Sequence, residues 1–166
     1  MARTVHRLTA LWALLGGGGL LAIMLVTTTN VAAFGLDAIG GHFGVDVPAL
    51  SGYEDFVRVV IAPSVLAFLP YCQLQRGHVA VDLFVERLPR SVQQTMDRLF
   101  ALLMATLALF LLYYMTLGML ETRSDQIVTP VIGWPEWPFY APGLVSLALW
   151  AAVALMQAAV PEPADG

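Results

Sequence analysis

Residues 99–120, "LFALLMATLALFLLYYMTLGML", carry no charge across their whole length. As an α-helix, at 1.5 Å per residue, the stretch reaches about 33 Å, and the hydrocarbon core of a bilayer is about 30 Å thick. Lipid offers no partner to free backbone amides, so a helix is the economical way to cross. Thr106 and Thr116 inside the stretch are expected to bond back to carbonyls of their own helix.

Working outward, three more uncharged stretches have the length of a span: about 8–30, about 56–75 (uncharged from Val59, just after Arg58) and about 137–160. The composition agrees. The 166 residues are 58% hydrophobic and only 12% charged, against about 25% charged for a soluble domain. The expected fold is therefore an all-α membrane protein, one integral membrane domain over residues 1–166 with four transmembrane helices. The first stretch follows Arg3 and Arg7 like a secretory signal. Its apolar run is longer than a signal core, and three further spans follow, so it reads as a retained signal-anchor helix. Gly16 to Gly19 within it either let a neighbouring backbone approach closely or form a soft turn facing lipid.

The basic residues, all arginine, orient the chain. Arg3 and Arg7 precede the first span, and Arg76, Arg87, Arg90 and Arg98 lie between the second and third. The other two connections are mainly acidic. Short cytoplasmic loops are arginine-rich, so both termini and the 76–98 connection are expected to face the cytoplasm. Trp134, Trp137 and Tyr140 suit an interfacial belt on the outer side. Thr27, Thr28, Thr29 and Asn30 are expected to close the first span there. Cys72, the only cysteine, has no internal disulfide partner and is expected to pack as a small apolar residue. Lacking lysine and a basic patch, the chain has no nucleic-acid-binding character.

The connection between spans two and three is unusual: "QRGHVAVDLFVERLP", residues 75–89. Val81, Phe84, Val85 and Leu88 recur at helical spacing, with Asp82 and Glu86 on another face. That pattern predicts a short amphipathic helix over about 79–88, lying along the cytoplasmic interface. Gly77 would allow the change of direction before it and Pro89 would end it. Arg76, His78 and Asp82 either pair within this elbow or with a partner, or simply solvate at the interface.

The same residues resemble the small membrane (DctQ-like) subunit of tripartite ATP-independent periplasmic (TRAP) transporters. His78, Val81-Asp82 and Leu88-Pro89 match that family's signature after an Arg76-Gly77 turn, and Glu54 stands where the family tends to carry a glutamate before its second span. The long glycine-rich 34–55 connection and the prolines Pro63 and Pro70 depart from the family pattern, so no substrate identity carries over. The resemblance implies a bacterial inner-membrane protein that braces a large multi-helix subunit. It also implies a periplasmic substrate-binding protein as a further partner and an ion gradient driving uptake of an organic acid.

The residues themselves exclude other classes. His6, His42 and His78 fall in termini or loops, so no pair faces across a bundle to hold haem. No cysteine–histidine spacing suits a metal, and no nucleophile–base constellation lies in a span. No catalytic residue or cofactor is therefore expected. The alternatives are an unrelated membrane accessory protein and an autonomous four-helix exporter, and the exporter would need an ionisable group in a span. Glu54 and Asp55 come nearest, at the outer edge of the second.

Overall fold

The computed structural model describes residues 2–41, 48–75 and 89–159. Among them five α-helices follow in order: α1 (Ala2–Gly40), α2 (Tyr53–Leu66), α3 (Leu69–Leu74), α4 (Arg90–Ser124) and α5 (Tyr140–Ala159), the last preceded by a 3-10 turn at Trp137–Phe139. They make four stretches long and apolar enough to cross a membrane: Thr4–Gly40, Tyr53–Leu74, Val92–Ser124 and Trp137–Ala159. The protein is all-α among the described residues, apart from an isolated bridge between Val128 and Pro135.

Two helices outrun the bilayer. With 39 residues, α1 extends about 58 Å, and α4, with 35 residues, about 52 Å. Asn30 does not close the first span. No proline interrupts the sequence through Gly40, and the helix runs on. Instead, Asn30 is buried and its Oδ1 accepts the Leu50 N–H at 2.9 Å, holding the chain that leads into α2. Thr29 bonds back to Leu25 O at 2.8 Å.

The second span is broken, and its prolines explain the break. Pro63 sits inside α2, and Pro70 occupies the first turn of α3. A proline has no N–H for the carbonyl four residues earlier and crowds it. The chain turns at Ala67 and Phe68, with Phe68 N–H reaching Val65 O at 3.2 Å. At the other end of the undescribed segment, Pro89 starts α4. Its extended ψ of 145° sets it outside the helix, while its carbonyl accepts the N–H groups of Val92 and Gln93 at 2.8 and 3.1 Å.

The helices pack in an open order. α1 lies against α2 and α3, these lie against α5, and α5 lies against α4. Ala101, Ala105 and Ala108 form a buried small-residue stripe on α4, one helical face that admits the neighbouring backbone closely. The core is Ala108 with Leu147, Trp150 and Ala151, flanked by Leu66, Leu69, Met104, Leu112 and Met115. At the other edge, Gly16 and Gly19 seat α2. A Cβ at Gly16 would stand 2.6 Å from Ser64 O and 2.7 Å from the Ala67 Cβ, and one at Gly19 would strike the Ser64 hydroxyl, whereas Gly18 faces open space. Close approach thus accounts for two of the four glycines.

Thr106 and Thr116 bond back to Leu102 O and Leu112 O at 2.8 and 2.7 Å, as their place in a span predicts. Cys72 is exposed rather than packed in the core.

Candidate subunit-interaction site

Three polar braces hold this open row together and fix which surfaces remain outward. The first is at the end where α2 begins. Asp55 is buried. Its Oδ2 accepts the backbone N–H groups of Val131 at 2.7 Å and Ile132 at 2.8 Å, and the Thr129 hydroxyl donates to the same carboxylate. Thr129 Oγ1 in turn accepts the Trp134 N–H at 3.0 Å. The loop is closed on itself by Thr129 N–H to Trp134 O at 2.8 Å and Glu136 N–H to Ile127 O at 3.1 Å. Gly52 fits beneath it. With φ of 82° it adopts the left-handed region, and a Cβ there would strike the Ile132 side chain. Only glycine meets both demands without strain.

Aromatic and ionic contacts rim this brace. Trp134 stacks on Phe139 at 6.1 Å, and the Arg123 guanidinium lies 5.0 Å from the Trp137 ring centroid. The Thr122 hydroxyl donates to the Tyr140 hydroxyl at 3.4 Å. Arg58 Nη2 approaches Glu136 Oε1 at 3.6 Å, but the Arg58 side chain is 61% exposed, so the pair adds little to stability.

The second brace lies in the first third of α1. Trp12 Nε1 donates to Ser146 Oγ at 2.8 Å, and Ser146 donates onward to Pro142 O at 2.9 Å. Beside it runs an apolar groove of about 350 Å³ lined by Trp12, Gly16, Val60, Pro63 and Phe139 among others. None of its lining residues is ionisable.

The third brace joins α3 to the far end of α5 through Gln73, Trp150 and Gln157. Nearby, the His6 ring meets Tyr71 edge-on at 5.8 Å. The start of α1, the end of α3 and the end of α5 therefore share one end of the bundle. Across the described residues, no buried side-chain nitrogen or oxygen lacks a hydrogen-bond partner, and no group of three potential metal ligands occurs.

Of the residues singled out from the sequence, Glu54 lies in the first turn of α2, exposed, its Oε1 accepting the Tyr53 hydroxyl at 3.1 Å. Pro89 caps α4. Arg76, Gly77, His78, Asp82 and Leu88, with the amphipathic helix expected over 79–88, lie outside the described residues. The structure adds Asp55, the neighbour of Glu54. It lies one helical turn before the buried Val59, a spacing that places both on one face.

What the braces leave outward is apolar. Along α1, Leu11, Leu14, Leu15, Leu21 and Leu25 are exposed, and along α4, Leu102, Leu103, Phe110, Tyr113 and Tyr114 are. Phe110, Tyr114 and Tyr113 form a continuous aromatic run, with ring centroids 4.6 and 5.4 Å apart.

Comparison with known families yields one finding. A family model described as "Tripartite ATP-independent periplasmic transporters, DctQ component" matches residues 42–161, well over half of the chain. No curated protein and no solved structure matches.

Proposed function

The chain belongs to the DctQ component family of tripartite ATP-independent periplasmic transporters, and from that premise we propose that it braces a larger transport subunit rather than carrying substrate itself. It is a multi-pass membrane protein and a small permease subunit of such a system. The large subunit binds and moves an organic acid, an ion gradient drives the uptake, and a periplasmic binding protein delivers the substrate.

One observation carries this reading beyond the family match. The buried polar side chains Asn30, Asp55, Gln73, Thr129 and Ser146 all hydrogen-bond within this chain. A subunit that coordinated its own ion or substrate would keep ionisable or unwound polar groups free at mid-membrane. Here those groups join helix to helix or helix to loop, and the long faces of α1 and α4 remain apolar and outward. That distribution suits a brace.

The positive-inside pattern supports placing both termini and the 76–89 segment at the cytoplasmic face of the inner membrane. Within this reading Arg76, Gly77, His78, Asp82, Leu88 and Pro89 form a cytoplasmic elbow that engages the large subunit. Glu54 makes a contact at the opposite face.

The test is ion-gradient-driven uptake of candidate carboxylates into proteoliposomes, with the binding protein added outside. Uptake is expected only when the large subunit and this chain are both present. Undiminished uptake by the large subunit alone would refute the bracing role, as would uptake by this chain alone.

A further inference from the structure

We propose that Gln73, Trp150 and Gln157 are positioning residues, a polar clamp that fixes the half-helix α3, and with it the point where the chain leaves the second span, against α5. The consequence for assembly rests on the subunit reading above, whereas the geometry of the clamp does not.

The need for a clamp follows from the break in the second span. α3 has only six residues, far fewer than a helix needs to persist by itself. Pro70 removes the hydrogen bond that would have tied it to Leu66 in α2. Its placement must therefore come from tertiary contacts, and the helix it packs against most extensively is α5.

The clamp engages Gln73 on three sides. Gln73 Nε2 donates to Gln157 Oε1 at 2.7 Å, and Trp150 Nε1 donates to Gln73 Oε1 at 3.1 Å. Gln157 Nε2 then donates to the Gln73 backbone carbonyl at 2.9 Å, one of the last carbonyls of α3, which its own helix cannot fully satisfy. Trp150 and Gln157 stand seven residues, or two turns, apart on one face of α5. Gln73 is 5% and Trp150 6% exposed, so neither has recourse to water.

Apolar side chains of the same volume would fill this space but leave α3 free to slide or rotate along α5. Directional bonds from two turns of one helix to a side chain and a backbone group of another fix both freedoms. Buried polar residues set register in coiled coils by the same logic. α4 also packs along α5. Since Arg76 follows Gln73 by three residues and α4 opens at Arg90, α5 is the common frame for both ends of the cytoplasmic connection.

The test uses the full-length chain with spin labels on its native Cys72, which is exposed in α3, and on Ala148→Cys in α5. A control pair, Thr106→Cys with Ala148→Cys in a Cys72→Ser background, reports the α4–α5 packing. Gln157→Leu should broaden the 72–148 distance distribution and leave the 106–148 distribution unchanged. Trp150→Phe, a milder change, should act in the same direction. The yield of co-purified large subunit should fall about threefold in Trp150→Phe and about sevenfold in Gln157→Leu, as about 0.6 kcal/mol per interhelical hydrogen bond implies.

An unchanged 72–148 distribution in Gln157→Leu would overturn the clamp. A broadened distribution with undiminished yield would overturn its role in assembly. If even the unsubstituted chain brings down no large subunit, the subunit reading fails, and the distance comparison still decides the clamp.

Discussion

A single oxygen of Asp55 accepts the backbone N–H groups of both Val131 and Ile132, at 2.7 and 2.8 Å. One carboxylate thus fastens the loop before α5 to the first turn of α2, between residues 76 and 77 positions apart in sequence. The adjacent Glu54 points outward and meets only the Tyr53 hydroxyl among the hydrogen bonds described. The two neighbouring acidic side chains therefore have different surroundings, one inside the chain and one at its surface.

The first prediction tests that difference. Asp55→Ala strands two backbone donors and should lower the melting temperature of the purified chain, together with protease resistance of the 127–136 loop. Glu54→Ala should leave both unchanged and lower only the yield of the assembled complex. Equal melting temperatures for the two variants would contradict the division.

The glycine run of α1 makes a prediction of sign. Gly18 faces open space, so Gly18→Ala should stabilise by about 0.5 kcal/mol through improved helix propensity. Gly16→Val places new atoms against Ser64 O and Ala67 Cβ and should destabilise by about 1–3 kcal/mol. Reversible unfolding in mixed micelles reads both, and effects of the same sign would refute the seam.

The bond from Trp12 to Ser146 joins α1 to α5 directly. A double-mutant cycle with Trp12→Phe and Ser146→Ala should return a coupling of about 0.6 kcal/mol, the average for interhelical hydrogen bonds in membranes. Full additivity would mean that the bond contributes nothing.

Topology can be read with a membrane-impermeant thiol reagent applied to intact, outer-membrane-permeabilised cells in a Cys72→Ser background. Cysteines at Asp37 and Gln126 should label from outside, and one at Arg90 only after the inner membrane is opened. Labelling of Arg90→Cys from outside would invert the proposed orientation.

How far the sequence reaches is clear from particular residues. The four spans are legible because uncharged length is a property of local sequence, as are the back-bonds of Thr106 and Thr116. The role of Asn30 is not, since its hydrogen-bond partner, the Leu50 N–H, lies 20 residues away. Pro63 and Pro70 are both visible, yet only packing decides that α2 continues through the first and ends before the second. Which of Glu54 and Asp55 turns inward depends on the rotation of α2, set by Gly16, Gly19 and Ile132 from distant parts of the chain. The Gln73 clamp draws on residues 77 and 84 positions away, beyond any local pattern.

Asp82→Ala or Arg76→Ala should lower the amount of assembled complex and the transport that depends on it, without changing substrate preference. Deleting one partner of an engaged charge pair costs more than the pair itself contributes. Normal complex yield with altered substrate preference would contradict the proposed role of the 76–89 elbow.

The most direct measurement is to place an affinity tag at the C-terminus, solubilise the native membrane gently and identify what co-purifies at fixed stoichiometry. A single larger polytopic membrane protein in constant ratio is the predicted result. Recovery of the tagged chain alone, as a monomer or a symmetric dimer in several mild detergents, would contradict the account.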